Sequence, residues 1–288
     1  MIIETVSFSI KKYLREKSEF SISMSRKEEN IFLDCSDLAY RVLKEKYRDS
    51  ITFPDENCRV QMDSNLYKKI EDFVEEAGSL IWFEPAPYIK RLFSDTTVDY
   101  CICADLTKRD GEDTELYDAV KGIKYTSRKT TNQDYNILAE NMNRILDILP
   151  VDKSDIAVTT VPVFVDKRGG RAEEEKKNRK LSRQLADYLS RRMEVQLIKA
   201  NLMDEKKQAK NLSLQERADM WNSIYSRGRV IMNGAVRGKT VIIADDIYQS
   251  GTSMCFYADY LKRICGAERV IGICPIKTLK DTDNNKWI

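Results

Sequence analysis

From residue 98 onward the chain alternates between two hydrophobic rhythms. Short, nearly unbroken apolar runs occur at Tyr100 to Ala104, Ile156 to Val165 (interrupted by Pro162), Val195 to Ile198, Thr240 to Ala244 and Val270 to Ile276. Runs of that length without polar alternation predict strands covered on both faces. Between them lie segments whose apolar residues recur at three- and four-residue intervals. Tyr135 to Leu149 is the longest, with Ile137, Leu138, Met142, Ile145, Leu146 and Leu149 on one stripe; Leu116 to Lys124, Leu181 to Met193, Trp221 to Tyr225 and Cys255 to Cys265 are shorter. Leu106 to Thr114 is polar and reads as a turn. Strands alternating with helices predict an α/β fold, a parallel sheet with helices on both faces.

The first 95 residues follow no such order. Ile2 to Leu14 alternates at first, through Val6, Phe8 and Ile10, and reads as a strand running into a basic helix. Ser36 to Tyr47 and Asp63 to Ala77 have amphipathic spacing, and Pro85-Ala86-Pro87 breaks the chain before a short element at Tyr88 to Phe93. The expectation is a small, mainly helical N-terminal region, residues 1–95, with no assignable role, followed by one larger domain at 96–288. Such helices suit DNA, a partner protein, a second copy of this chain or a purely structural cap.

Chemistry concentrates at Thr240 to Met254, TVIIADDIYQSGTSM. Asp245 and Asp246 stand at the carboxyl end of an apolar strand, where open α/β sheets bind ligands. The turn Ser250-Gly251-Thr252-Ser253 then feeds a helix, whose N-terminal amides and dipole suit a phosphate. Carboxylates beside a phosphate cradle repel the phosphate itself, so they point to sugar hydroxyls or a divalent cation. Together the two parts predict a phosphorylated sugar. The same residues also satisfy a purely structural turn before a helix cap.

Composition narrows the chemistry. The 288 residues contain no histidine, which removes Ser-His-Asp hydrolysis, Cys-His chemistry and histidine general catalysis. The seven cysteines include no C-x-x-C pair and read as reduced thiols rather than a zinc site. No apolar run reaches the roughly 18 residues of a membrane span, and no secretory signal is read at Met1-Ile2-Ile3, so the expected location is cytoplasmic. From Val165 to Lys239, 19 Lys and Arg stand against 10 Asp and Glu, although the whole chain is only +2. A basic middle segment beside the phosphate turn attracts an anionic ligand or a polynucleotide.

The stretch from Val241 to Ser253 resembles the signature of type I phosphoribosyltransferases. That resemblance implies that Asp245 and Asp246 hold the ribose hydroxyls of phosphoribosyl pyrophosphate (PRPP) and lie near a Mg²⁺ ion. It implies that Ser250, Gly251, Thr252 and Ser253 take the ribose 5′-phosphate, with Ile247 and Gln249 also binding substrate. Gln249 stands where that family commonly has Thr, and Tyr248 is bulkier than usual. Further motifs resemble the competence protein ComF family: Gly122-Ile123-Lys124-Tyr125 with Arg128, then Thr160-Val161-Pro162-Val163 followed by Lys167, Arg168, Gly169 and Arg171. Gln208, Leu212, Ser213, Glu216, Arg217 and Asn222, and Arg237-Gly238-Lys239, complete the likeness, which spans about 96–280. That family usually begins with a four-cysteine zinc ribbon, whereas this N-terminal region has only Cys35 and Cys58.

By that likeness, Val163, Phe164, Arg168 and Arg171 belong to a pyrophosphate loop, and Lys210 to a mobile loop that closes over bound substrate. The implied activity is transfer of phosphoribose from PRPP to an unidentified acceptor, with release of pyrophosphate. Two alternatives stand beside it: a non-catalytic PRPP or nucleotide-binding regulator, and a DNA-handling protein that contacts single-stranded DNA. A homodimer is compatible with all three.

Overall fold

The computed structural model describes residues 4–9, 20–27, 30–47, 59–60, 64–93, 96–125, 130–151, 155–164, 180–205 and 212–279. Its main sheet is built from β5 (Ile81–Phe83), β6 (Tyr100–Leu106), β9 (Ile156–Thr160), β11 (Gln196–Ile198), β14 (Thr240–Ala244), β15 (Ile247–Tyr248) and β16 (Arg269–Lys277). The order is β11-β9-β14-β16-β6-β5, with β15 added alongside β16. All neighbours are parallel except β5, which runs antiparallel to β6. The expected α/β sheet is present.

Side chains alternate between two cores. Ile102, Val158, Ile242, Ala244, Ile271 and Ile273 enter one, while Cys101, Cys103, Ala157, Val241, Ile243 and Val270 enter the other. Period-2 alternation of apolar residues on both sides requires a cover on each face. The first core is closed by α5 (Asn132–Ile148) and α6 (Leu181–Met193), and receives Leu116 and Val120 of α4 (Glu115–Lys124). The second is closed by α7 (Leu214–Ser226) and α8 (Thr252–Asp259), which runs on into a π-helical turn at Tyr260–Ile264. There Trp221, Tyr225, Tyr257 and Tyr260 stack on one another, with Trp221 and Tyr225 rings 5.3 Å apart.

The segment expected as one strand from Ile156 to Val165 divides at Val161-Pro162. Proline supplies no amide to the ladder, and the chain leaves the main sheet after Thr160. It re-forms as β10 (Val163–Phe164), which pairs with β12 (Ala200–Leu202) and, through it, with β13 (Val230–Met232) in a separate three-stranded sheet. The polar turn after β6 is a hairpin of β7 (Lys108–Arg109) and β8 (Glu112–Asp113), with Asp110 and Gly111 both at positive φ.

The described part of the N-terminal region combines helices with strands. It contains a four-stranded antiparallel sheet of β1 (Glu4–Ser9), β2 (Ser21–Lys27), β3 (Asn30–Cys35) and β4 (Arg59–Val60), beside α1 (Asp37–Lys46), α2 (Ser64–Gly78) and the single turn α3 (Pro87–Lys90). The missed signal is Phe20-Ser21-Ile22-Ser23-Met24, whose apolar members are buried while the serines are half-buried. That is strand periodicity, with a short side chain at every second place. The basic helix expected after β1 lies outside the described residues.

This region shares a core with the sheet. The Trp82 ring on β5 stacks on Phe20 at 4.8 Å and meets Phe73 and Tyr100 edge-on or tilted at 6.3 and 6.0 Å. Lys46 donates to the Ile148 carbonyl at 3.2 Å, and Arg144 to the Ser79 carbonyl at 3.3 Å. The boundary expected at 95/96 thus falls between β5 and β6, two hydrogen-bonded strands. Among the described residues, no helix is long and apolar enough to cross a membrane.

A polar clamp closes the opposite end of the sheet from the Asp-Asp pair. Glu45 of α1 pairs with Arg269 at the start of β16 and accepts from the Tyr100 hydroxyl at 3.2 Å. Burial raises the Glu45 pKa above 4.5, although Arg269 and Tyr100 pull it down. A carboxyl raised by folding contributes stability that is present below its unfolded pKa and is lost as pH rises through its folded value. Between pH 4.5 and 7, Glu45→Gln is therefore expected to flatten the loss of stability with rising pH. Urea midpoints measured across that window check this, and an unchanged slope would refute it.

Candidate active site at the carboxyl end of the central strand

The helices that follow β9 and β14 pack on opposite faces. After β9 the chain proceeds to α6, in the first core, and after β14 to α8, in the second. Neighbouring parallel strands whose connections diverge leave a crevice at their carboxyl ends, and this is where α/β proteins place ligands. The register sets Ala244 beside Thr160, so the crevice is bounded by the chain after each.

Asp245 and Asp246 occupy the β14 side. The Asp245 amide still donates to the Ile273 carbonyl at 3.0 Å, so the backbone is held as an extension of the strand. Its carboxylate oxygen accepts the Asp246 amide at 2.9 Å. Both side chains are half-buried. The Asp246 carboxylate meets the Lys124 ammonium, from the last residue of α4, at 2.9 Å. Burial alone would lower the Lys124 pKa, but Asp246, reinforced by Asp245, outweighs it and holds the ammonium above its ordinary pKa.

The turn that follows is pinned from below. Ile247 and Tyr248 form β15 against Ile276 and Lys277, and the Thr278 amide donates to the Tyr248 carbonyl at 2.9 Å. Tyr248 packs edge-on to Phe83 at 4.7 Å. Lys277 is fully buried, its ammonium donating to the Thr278 carbonyl at 3.0 Å and lying 5.2 Å from the Phe83 ring and 5.8 Å from that of Tyr248. A lysine beneath a turn expected to take phosphate is electrostatically consistent with that ligand.

Gly251 is the N-cap of α8, in the left-handed region at φ 71°, and no side chain caps the helix. The helix begins three residues before the expected Cys255. Ser250 and Thr252 are buried, and their hydroxyls bond to each other at 2.9 Å. These two hydroxyls staple the turn internally. Ser253 is half-buried and Gln249 is exposed at the same end of the helix. The Thr252 amide donates to the Ser250 hydroxyl at 3.4 Å, and the dipole of the helix start favours a negative charge in front of it.

On the β9 side, Val163 and Phe164 are half-buried and pair with Asn201 and Leu202. Arg168, Arg171 and Lys210 lie outside the described residues, as do Arg128, Lys206, Lys207 and Gln208. A cavity of about 730 Å³ reaches Thr160 and runs between α6 and β11, with Arg183, Arg191, Arg192 and Lys199 against one carboxylate, Asp187. The imbalance favours anions, as the sequence does here.

Two cations in this region, Lys124 and Lys277, escaped the sequence reading. Lys124 was placed only as part of a family-like segment, because nothing local to α4 signals its pairing with Asp246. Lys277 sits two residues past a proline in an apolar strand, and only the fold buries it. Among the described residues, no group of three or more acidic or cysteine side chains could hold a metal ion alone. Two adjacent carboxylates do fit Mg²⁺, which takes one or two such ligands and fills its shell with water and substrate phosphate oxygens.

Residues 178–287 match the family model described as phosphoribosyl transferase domain, a span that includes the acidic pair, the turn and α8. Ribose-phosphate pyrophosphokinase 1 of Schizosaccharomyces pombe is 34% identical over 79 residues, or 26% of this chain; the aligned part is 19% of that protein's length. A solved purine phosphoribosyltransferase from Pyrococcus horikoshii aligns with 50% of this chain and 78% of its own, at 18% identity and a TM-score of 0.24.

A side chain at 251 would require left-handed backbone and would overlap the Tyr248 ring. Gly251→Ala is thus expected to destabilise the protein by about 1–3 kcal/mol. Tyr248→Ala, which removes a buried ring packed on Phe83, should destabilise the protein as well. Thermal unfolding of the two variants checks both effects; equal melting temperatures for wild type and either variant would refute the effect concerned.

Proposed function

We propose that this chain, whose residues 178–287 match a phosphoribosyl transferase domain, binds PRPP with Mg²⁺ and transfers its phosphoribose to an acceptor, releasing pyrophosphate. The observation that carries this reading is the adjacency of Asp245 and Asp246 to the start of α8 in the divergent crevice. Asp245 and Asp246 accept hydrogen bonds from the ribose 2′ and 3′ hydroxyls. Backbone amides from Ser250 to Ser253 take the 5′-phosphate, backed by the α8 dipole and the buried Lys277.

The segment from Val163 through Arg168 and Arg171 takes the pyrophosphate, and Lys210 adds a positive charge for the same ligand. Bound Mg²⁺ would neutralise charge on the departing oxygens. In the transfer, the bond between ribose C1 and the pyrophosphate oxygen breaks with its electron pair on oxygen. The acceptor's lone pair bonds C1. Positioning and charge stabilisation carry the barrier reduction, which a chain without histidine can supply.

The finer ComF-type assignment rests on Lys124-Tyr125, Pro162 and the stretch from Leu212 to Asn222. A second reading, PRPP or nucleotide binding without transfer, is favoured by Tyr248 packed on Gly251 and by the closure of the Ser250 and Thr252 hydroxyls on each other. Both features make the turn tighter than a phosphate grip built from open hydroxyls.

Calorimetry with PRPP and Mg²⁺ tests the binding that both readings share, and pyrophosphate release separates them. Asp245→Asn with Asp246→Asn is expected to weaken PRPP binding by about 100-fold or more, in line with loss of two charged hydrogen-bonding partners. Undiminished PRPP affinity in the double variant would overturn the site. Strongly salt-dependent binding of single-stranded DNA, unchanged in that variant and without any PRPP binding, would move the function to nucleic acid.

A further inference from the structure

Lys124 is the terminal residue of α4, a helix fixed well before that point. Thr114 caps its start, Leu116, Ala119 and Val120 are buried, and the Tyr125 amide closes the last turn on the Lys121 carbonyl. The two lysines near its end are committed in different directions. Lys121 is shared between Asp113 and Asp118, at 2.6 Å each. Lys124 instead turns into the crevice and meets Asp246 at 2.9 Å, with both side chains largely removed from water, 30% and 18% exposed. Two adjacent carboxylates at the edge of a buried sheet repel each other and need a cation. The cation beside this pair is Lys124.

We propose that Lys124 is a resident counter-ion whose ammonium must leave Asp246 before a divalent ion or a ribose can take the carboxylate. This deepens the function proposed above and rests on it for the identity of the sugar phosphate, though not for competition at the acidic pair. The physical consequence is an exchange. A divalent ion arriving alone must displace a preformed, half-buried ion pair and leave an ammonium without its partner, so it binds weakly. A ligand that brings phosphate oxygens gives the released ammonium a new anion, so ion and ligand enter together. Lys124 thereby acts as a positioning residue that couples metal binding to substrate binding.

The test is Mn²⁺ and Mg²⁺ titration by calorimetry, with and without PRPP, on the full chain and on Lys124→Met, Lys124→Gln and Lys124→Arg, each checked by thermal unfolding. Without PRPP, Lys124→Met and Lys124→Gln are expected to bind Mn²⁺ about tenfold more tightly than wild type, since the competitor is gone and the carboxylates are left uncompensated. Lys124→Arg, which keeps the charge, should retain weak binding. The factor by which PRPP tightens Mn²⁺ binding should shrink in the two uncharged variants. Equal ion affinity in wild type and in a folded uncharged variant would overturn the inference and leave the pair purely structural. If neither uncharged variant folds, Lys124→Arg with an ion affinity raised to a tight, PRPP-independent level would overturn it as well. Should wild type show no response to PRPP while the uncharged variants still gain ion affinity, the function proposed above fails and the competition stands.

Discussion

The structure depends on one strand being dry on both faces. β14 lies between two parallel neighbours, its side chains alternating into the two cores, and from Val241 to Ala244 every residue is apolar and buried. The first residues able to meet water are Asp245 and Asp246. Because the flanking connections leave on opposite faces, those carboxylates emerge in a crevice and not under a helix. The dryness of the strand and the polarity of its end are two consequences of the same packing.

That packing also explains why the N-terminal region belongs to the same physical unit as the sheet. β5 completes the sheet beside β6 and carries Trp82 into the first core, where Phe20 and Phe73 enclose it. Glu84, two residues further on, is buried between Arg41 of α1 and Lys90 of α3. Fully buried aromatic rings and paired charges of this kind tie the region to the sheet through area and through specific geometry. Phe83 of the same strand packs against Tyr248. The N-terminal region therefore supports the turn at Tyr248 from below.

Charge in the crevice is arranged in depth. The carboxylates lie at the strand end, Lys124 neutralises them from the α4 side, and Lys277 sits below the turn between two rings. The start of α8 adds the partial positive charge of its helix dipole. An anionic ligand thus meets favourable potential from the turn and its floor. The Lys124 ammonium compensates the acidic pair.

The α/β class and the central strand were legible in the sequence because their signals are local. An unbroken Val-Ile-Ile-Ala followed by Asp-Asp, and a stripe such as that of Tyr135 to Leu149, depend only on neighbours along the chain. The strand at Phe20 to Met24 was equally local, but its alternation was masked by weakly polar serines. The pairing of Lys124 with Asp246, the burial of Lys277 and the departure of β10 into a second sheet were not legible. Each depends on groups distant in sequence meeting in a space that exists only once the sheet has closed. Side-chain periodicity determines which face of an element is buried; the fold alone decides which charges then face one another.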